Sequence, residues 1–180
     1  MKLTLSLAVC VFALSASAFA QDPAVDKPLR AAPGNLGATA TVIKWKPDYT
    51  YDTLKKGTGK LVCYDKSGFP GAQAFMVECT DIGNLDRVAQ NLKFEAITDK
   101  KASQAAFDAA EKDGTRVKPV FGSVWYHLMG ADADHLRTHL TIAVPGATSK
   151  TLGLPETGAS GGVWIMNAGT TTAHLMTPGE

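Results

Sequence analysis

The chain has 180 residues, 45% of them hydrophobic, with 18 Lys+Arg against 17 Asp+Glu. That balance excludes proteins that work through an excess of basic residues, so neither a nucleic-acid partner nor a polybasic membrane patch is expected. The length suits one domain with a real core.

The N-terminus carries three signals in order. Lys2 is positive, residues 3–14 are mostly apolar, and Ala18-Phe19-Ala20 gives a small-x-small cleavage pattern. Together they predict a signal peptide over residues 1–20 and a mature start at Gln21. The apolar run falls short of the ~20 residues a membrane span needs. No membrane insertion is expected after cleavage. Cys10 follows Val9 rather than a small residue, which argues against lipidation. Removing Lys2 leaves 17 basic and 17 acidic residues. The expected location is exported, either periplasmic or secreted.

Residues 21–39 are rich in Pro, Ala and charge without an apolar period, and are expected as a flexible leader. Residues 40–180 are expected as a single domain. Thr41–Trp45 reads as a strand, residues 55–60 as a turn, and residues 61–64 as a second strand, so a hairpin is expected there. Cys63 and Cys79 remain after cleavage. In an oxidising compartment an even pair predicts a disulfide.

Asp81 or Asn84 is placed to cap a helix running to about Ala96, with Leu85, Val88, Ala89 and Leu92 on one face. An alanine-rich stretch from Ala102 to Ala110 predicts a second helix, stopped at Asp113-Gly114. Four strands are expected after it, over residues 120–129, 138–144, 163–166 and 173–176. The predicted fold is α+β: a mainly antiparallel sheet, two helices on one face, one disulfide.

Alternation divides these last strands into two faces. Val124, Tyr126, Leu128, Leu140, Ile142, Val144, Val163, Ile165 and Leu175 form an ordinary apolar set, expected as the core beneath the helices. Trp125, His127, Met129, His139, Thr141, Trp164, Met166, His174 and Met176 form the other, rich in His, Met and Trp.

The C-terminal run from Gly161-Gly162-Val163-Trp164-Ile165-Met166 through Gly169-Thr170-Thr171-Thr172-Ala173-His174-Leu175-Met176-Thr177-Pro178 resembles the ending of a family of secreted bacterial proteins with no assigned activity. Those chains close on Gly-Gly-Pro-Trp-Val-Met-Trp, then Gly-Thr-Pro-Tyr-Ala-His, then Met and Pro. His139-Leu140, the Val144-Pro145…Gly153-Leu154-Pro155 spacing and the Cys63…Cys79-Thr80-Asp81 pair fit the same pattern. Val163, Asn167 and Thr171-Thr172 depart from it. The resemblance implies export and a shared fold, and supplies no activity.

The His/Met/Trp face is where chemistry is expected. His-x-Met at strand spacing puts an imidazole and a thioether on one side, a donor set that suits Cu(I). His127/Met129 and His174/Met176 supply two such pairs if their strands are neighbours. His139 and Met166 can join them, with Trp125 or Trp164 over a bound cation. Against this, Met and Trp are routine core residues. No cofactor is expected on that plainer reading, and copper is the alternative. Asp132, Asp134, His135 and His139 offer a zinc-like donor set, but a solvated acidic turn explains them more simply. Gly158-Ala159-Ser160-Gly161-Gly162 matches a nucleophile pattern in letters only, because a strand rather than a helix is expected after it.

The favoured function is a non-catalytic domain that binds an unidentified small ligand or protein partner, with His127, His139, Trp164 and His174 as candidate ligand contacts. The rival is a small hydrolase or metalloenzyme using His139 and His174. An open pocket around those histidines with a perturbed carboxylate favours the rival; a closed, packed face favours a purely structural role.

Overall fold

The structure is a computed structural model that describes residues 22–178. The predicted signal peptide, residues 1–20, lies outside the described residues. Eight strands form a single sheet: β1 Thr41–Trp45, β2 Tyr51–Lys55, β3 Leu61–Asp65, β4 Phe75–Asp81, β5 Val124–Gly130, β6 Leu136–Ala143, β7 Trp164–Met166 and β8 His174–Met176. Their order is β2-β1-β3-β4-β5-β6-β8-β7. All neighbours are antiparallel except β1 and β3, which run parallel. The α+β class and the mainly antiparallel sheet agree with the sequence. The helices number five among the described residues, not two: α1 Pro23–Leu29, α2 Leu36–Thr39, α3 Leu85–Glu95, α4 Lys100–Lys112 and α5 Ser149–Leu152, with two 3-10 turns besides.

The expected hairpin is corrected in one respect. β1 and β3 are neighbours but parallel; the hairpin partner of β1 is β2. Four of the five β2 residues are exposed, so this edge strand carries no apolar alternation by which to be seen. Its turn is built by Asp48, whose carboxylate accepts from the Thr50 amide and hydroxyl, and by Tyr49 at φ 66°.

Residues 22–39 are not a loose leader. Asp22 caps α1 by accepting from the Ala24 amide at 2.9 Å. The helix lies on the sheet: Pro28 is buried, and Lys27 reaches Asp65 at 2.6 Å and sits 5.0 Å above the Phe75 ring. Leu29, Ala31 and Ala32 pack with Ala40, Cys63 and Cys79. The segment lacks apolar periodicity because it is held by a buried proline, small residues and side-chain charge rather than by a helical stripe.

Cys63 and Cys79 stand directly opposite one another on β3 and β4 and are joined in a disulfide. They face α1.

The helix-covered face is also corrected. Leu85, Val88 and Leu92 of α3 pack on Ile43, Trp45, Val62 and Tyr64, with Trp125 at the margin. Each fully buried aliphatic side chain contributes about 1.5–3 kcal/mol. Register carries this face across the sheet: Tyr64 is opposite Glu78, Glu78 opposite His127, His127 opposite His139. So α3 lies over the His/Met/Trp face. Of the other set, Val144 and Ile165 are buried in a second cluster, Val124, Tyr126, Leu128, Leu140, Ile142 and Leu175 are half-buried, and Val163 is exposed. Alternation separates two faces but does not say which one a helix covers. Here β1 and β3 decide it, because they bring the larger apolar side chains to the histidine side.

α4 packs on α3 through an edge-to-face contact of Phe94 and Phe107, 5.1 Å between centroids. Asp99 caps it, and it ends before Gly114 at φ 71°. Of the two proposed caps for α3, Asp81 closes the preceding 3-10 turn by accepting from the Gly83 amide. Asn84 is fully buried instead: it donates to the hydroxyls of Thr80 and Ser123 and accepts from the Val120 amide. This locks the start of α3 to β4 and to the strand entry before β5.

Candidate functional site

α3 covers only part of its face. Its apolar stripe meets β1 and β3. Arg87, Asn91 and Glu95, four residues apart and therefore one above another, border a cavity of about 360 Å³ over β4, β5 and β6. The floor is Met76 and Glu78 from β4, Trp125, His127 and Met129 from β5, and His139 and Thr141 from β6; His174 closes one end. The histidine face is therefore open, roofed at one side.

Glu78 is the electrostatic centre. It is 4% exposed. The Tyr64 hydroxyl donates to its Oε2 at 2.8 Å, and Lys66 Nζ is 3.7 Å from its Oε1. Lys66 also pairs with Glu95 of α3 at 2.8 Å, which ties helix to sheet through charge. His127 Nδ1 lies 3.2 Å from Glu78 Oε1, at ion-pair distance but without hydrogen-bond geometry. Burial works against the Glu78 carboxylate; Lys66, then His127 and Tyr64, outweigh it and hold its pKa at about 2. Burial likewise opposes the Lys66 ammonium, but Glu78 and Glu95 raise its pKa above that of an ordinary lysine. Burial, with the Glu78 charge added, pushes the Tyr64 phenol well up. Glu78 is thus a fixed anion and Tyr64 a fixed donor.

The opposite wall is held by Arg87. Its guanidinium donates to the Val117 carbonyl at 2.6 Å and to the hydroxyls of Thr171 and Thr172 at 3.0 and 2.7 Å. Burial, then the nearby Arg116 charge, lowers its pKa to about 10, so it stays cationic at neutral pH. Glu111 accepts from the Thr171 amide and hydroxyl, both at 2.6 Å. These bonds fix the loop before β8. Arg116 donates to the side chains of Gln90 and Asn91 and stacks on Phe107, 4.8 Å from the ring centroid.

The sequence-derived candidates separate as follows. His127, His139 and His174 all line the cavity. The rings of His127 and His139 are 5.6 Å apart between centroids, inclined by 34°. His174 Nδ1 donates to the Thr172 carbonyl at 2.7 Å, which places that proton on Nδ1. The condition for two adjoining His-x-Met pairs fails, because β6 lies between β5 and β8. His174 is opposite Ala143, four residues along β6 from His139, or about 13 Å of strand. Met129 lines the cavity beside His127, whereas Met176 is paired across β7 and β8 with Trp164, and Trp164 lies over Gly158. His135 sits in the exposed turn between β5 and β6 with Nδ1 2.8 Å from Asp132, away from His139 in the cavity. Among the described residues no group of three or more His, Cys, Asp and Glu is placed to share a metal ion. Ser160 is in an exposed 3-10 turn that leads into β7, without the helix a nucleophile elbow requires.

Lys66, Met76, Glu78, Arg87, Asn91 and Glu95 also line the cavity but are not among the sequence-predicted residues. Glu78 left a signal: it is a charge in the middle of Phe75–Asp81, flanked by Val77 and Cys79, both fully buried. A carboxylate at such a position must be paired.

Fold and site define an α+β domain with one partly roofed sheet face and a charged, histidine-lined cavity. Comparison with known protein families, curated proteins and solved structures finds no match. No helix among the described residues is long and apolar enough to cross a membrane.

Proposed function

We propose that the protein is an exported, non-catalytic binding domain that takes a small polar ligand in the cavity between α3 and the histidine face. The cavity itself carries the reading. It is about 360 Å³, within the range of small-molecule sites, and combines apolar surface with a few convergent polar groups. Its walls are pre-organised: Glu78, Lys66 and Glu95 form one connected ion network, and Arg87 is fixed by three bonds. Preformed walls cost little ordering on binding. The disulfide supports an oxidising compartment, as does the signal sequence expected at residues 1–20.

A second reading has one observation in its favour. The open pocket with a perturbed carboxylate is the arrangement expected of an enzyme, with His127 oriented by Glu78. The direction of the perturbation counts against it. A carboxylate held at about pKa 2 by three partners orients and neutralises, whereas an acid or base working at neutral pH needs a pKa near 7.

The test is a thermal-shift screen of the purified protein with small carboxylates, amines and aromatic heterocycles, repeated on Thr141→Phe. Thr141 is half-buried and lines the cavity, so the larger ring intrudes into it. Ligands that stabilise the wild type by mass action and fail on a folded Thr141→Phe support the reading. Binding unchanged by the blockage contradicts it. Turnover lost in His127→Gln would favour the enzyme.

A further inference from the structure

We infer that the cavity floor binds a soft monovalent metal ion of the Cu(I) class, through His127 and His139 with the thioethers of Met76 and Met129. This rests on reading the cavity as a ligand site and names the ligand.

Four observations converge. First, register places these side chains in two adjoining cross-strand pairs on one face: His127 opposite His139, Met129 opposite Met76. Directly opposed residues on antiparallel strands have β-carbons about 4.5–5.5 Å apart, and successive same-face rows are about 7 Å apart, a gap that flexible methionine side chains can bridge. Second, all four line the same cavity, with Met129 only 7% exposed. Third, the imidazole spacing fits. Metal–nitrogen bonds of about 2 Å put the centroids of two rings on one ion roughly 5–6.5 Å apart; the observed separation is 5.6 Å. Fourth, Nδ1 of His127 faces the buried Glu78 carboxylate at 3.2 Å, off hydrogen-bond geometry. A ligating histidine turns its other nitrogen to a carboxylate, which fixes the ring and raises its basicity. The arrangement leaves Nε2 as the ligating atom and puts a carboxylate beside Nδ1, within reach of a small ring rotation.

The donor types choose the metal. Thioethers select Cu(I), and imidazole is shared with many ions. Hard oxygen donors for Mg²⁺ or Ca²⁺ are absent from this set. The carboxylate that is present, Glu78, is committed to Tyr64 and Lys66. Lys66 opposes a cation, but Glu78 and Glu95 both neutralise it.

The experiment is an anaerobic titration of the Cu(I)–bicinchoninate complex with the purified protein, read by loss of the coloured complex, with Zn(II) as challenger. Met76→Leu and Met129→Leu are close in volume and should fold; circular dichroism checks that they do. His135→Gln and Met176→Leu serve as controls outside the cavity lining. The expected result is that wild type withdraws Cu(I). Each cavity methionine variant should weaken it about tenfold or more, the scale seen for losing even a supporting group at a metal site. Controls should match wild type, and excess Zn(II) should not release the copper. The inference is overturned if no Cu(I) is withdrawn, if the folded double Met76→Leu/Met129→Leu variant binds as well as wild type, or if a control variant abolishes binding. Small organic ligands that still bind and are blocked by Thr141→Phe, with no Cu(I) withdrawn, would remove the metal and keep the cavity; loss of both would remove both.

Discussion

Replacing Glu78 by Gln removes one charge from the network it forms with Lys66 and Glu95 and leaves its shape. In the wild type the carboxyl pKa falls from 4.5 to about 2 on folding. At ~1.4 kcal/mol per unit, that is roughly 3 kcal/mol of stability at neutral pH. The sign follows from the direction. A carboxylate depressed in the folded state stabilises it above the unfolded pKa and loses that contribution as pH falls toward the folded value. Breaking one partner of a buried ion pair costs about 3–5 kcal/mol. Lys66 keeps Glu95 at 2.8 Å, so the lower end applies. Urea unfolding of wild type and Glu78→Gln should therefore differ by about 3 kcal/mol at pH 7, and the gap should close steadily from pH 5 to pH 2. A gap under about 0.5 kcal/mol at pH 7, the range of an ordinary surface change, would show that the Glu78 charge does not stabilise the fold. So would a gap that does not change with pH.

Other expectations follow from the same structure. Replacing both Cys63 and Cys79 by Ser should cost about 3 kcal/mol, the loop-closure value for their separation of 16 residues, measured by urea midpoint. Asn84→Leu leaves the Val120 amide and two hydroxyls without their buried partner and should lower stability by about 2–3 kcal/mol; a neutral result in calorimetry would show that the site repacks. Gly130→Ala would put a β-carbon 1.9 Å from the His135 carbonyl oxygen. It should open the β5–β6 turn at a cost above about 2 kcal/mol, visible as faster amide exchange in that turn.

Strand positions in the second half were legible because β-branched and aromatic runs alternate between Gly, Pro and Asp clusters. So were α3 and α4, from their apolar period and caps, and the disulfide, from cysteine number. What was not legible has a physical cause in each case. β2 is an exposed edge with no buried side to mark it. α1 docks through Pro28 and Lys27 rather than through a stripe. The face that α3 covers depends on which strands neighbour which, a long-range fact; His127 gives no hint that Tyr64 and Glu78 are in its row. Of the site, the three cavity histidines could be named from alternation alone. Their partners on α3 could not, because Arg87, Asn91 and Glu95 look in sequence like an ordinary solvated helix face.

Ligand binding in the open cavity of the histidine face is the proposal on which the rest depends. The most direct measurement is methyl NMR of protein labelled at the methionine ε-carbons, titrated with Ag(I) as a redox-stable stand-in for Cu(I). Met76 and Met129 line the cavity, while Met166 and Met176 lie on the β7–β8 edge. Binding at the cavity floor predicts that the Met76 and Met129 signals move together and saturate, with Met166 and Met176 unchanged. Signals that move only at Met166 and Met176, or none that move while a small-molecule screen also fails, would contradict it.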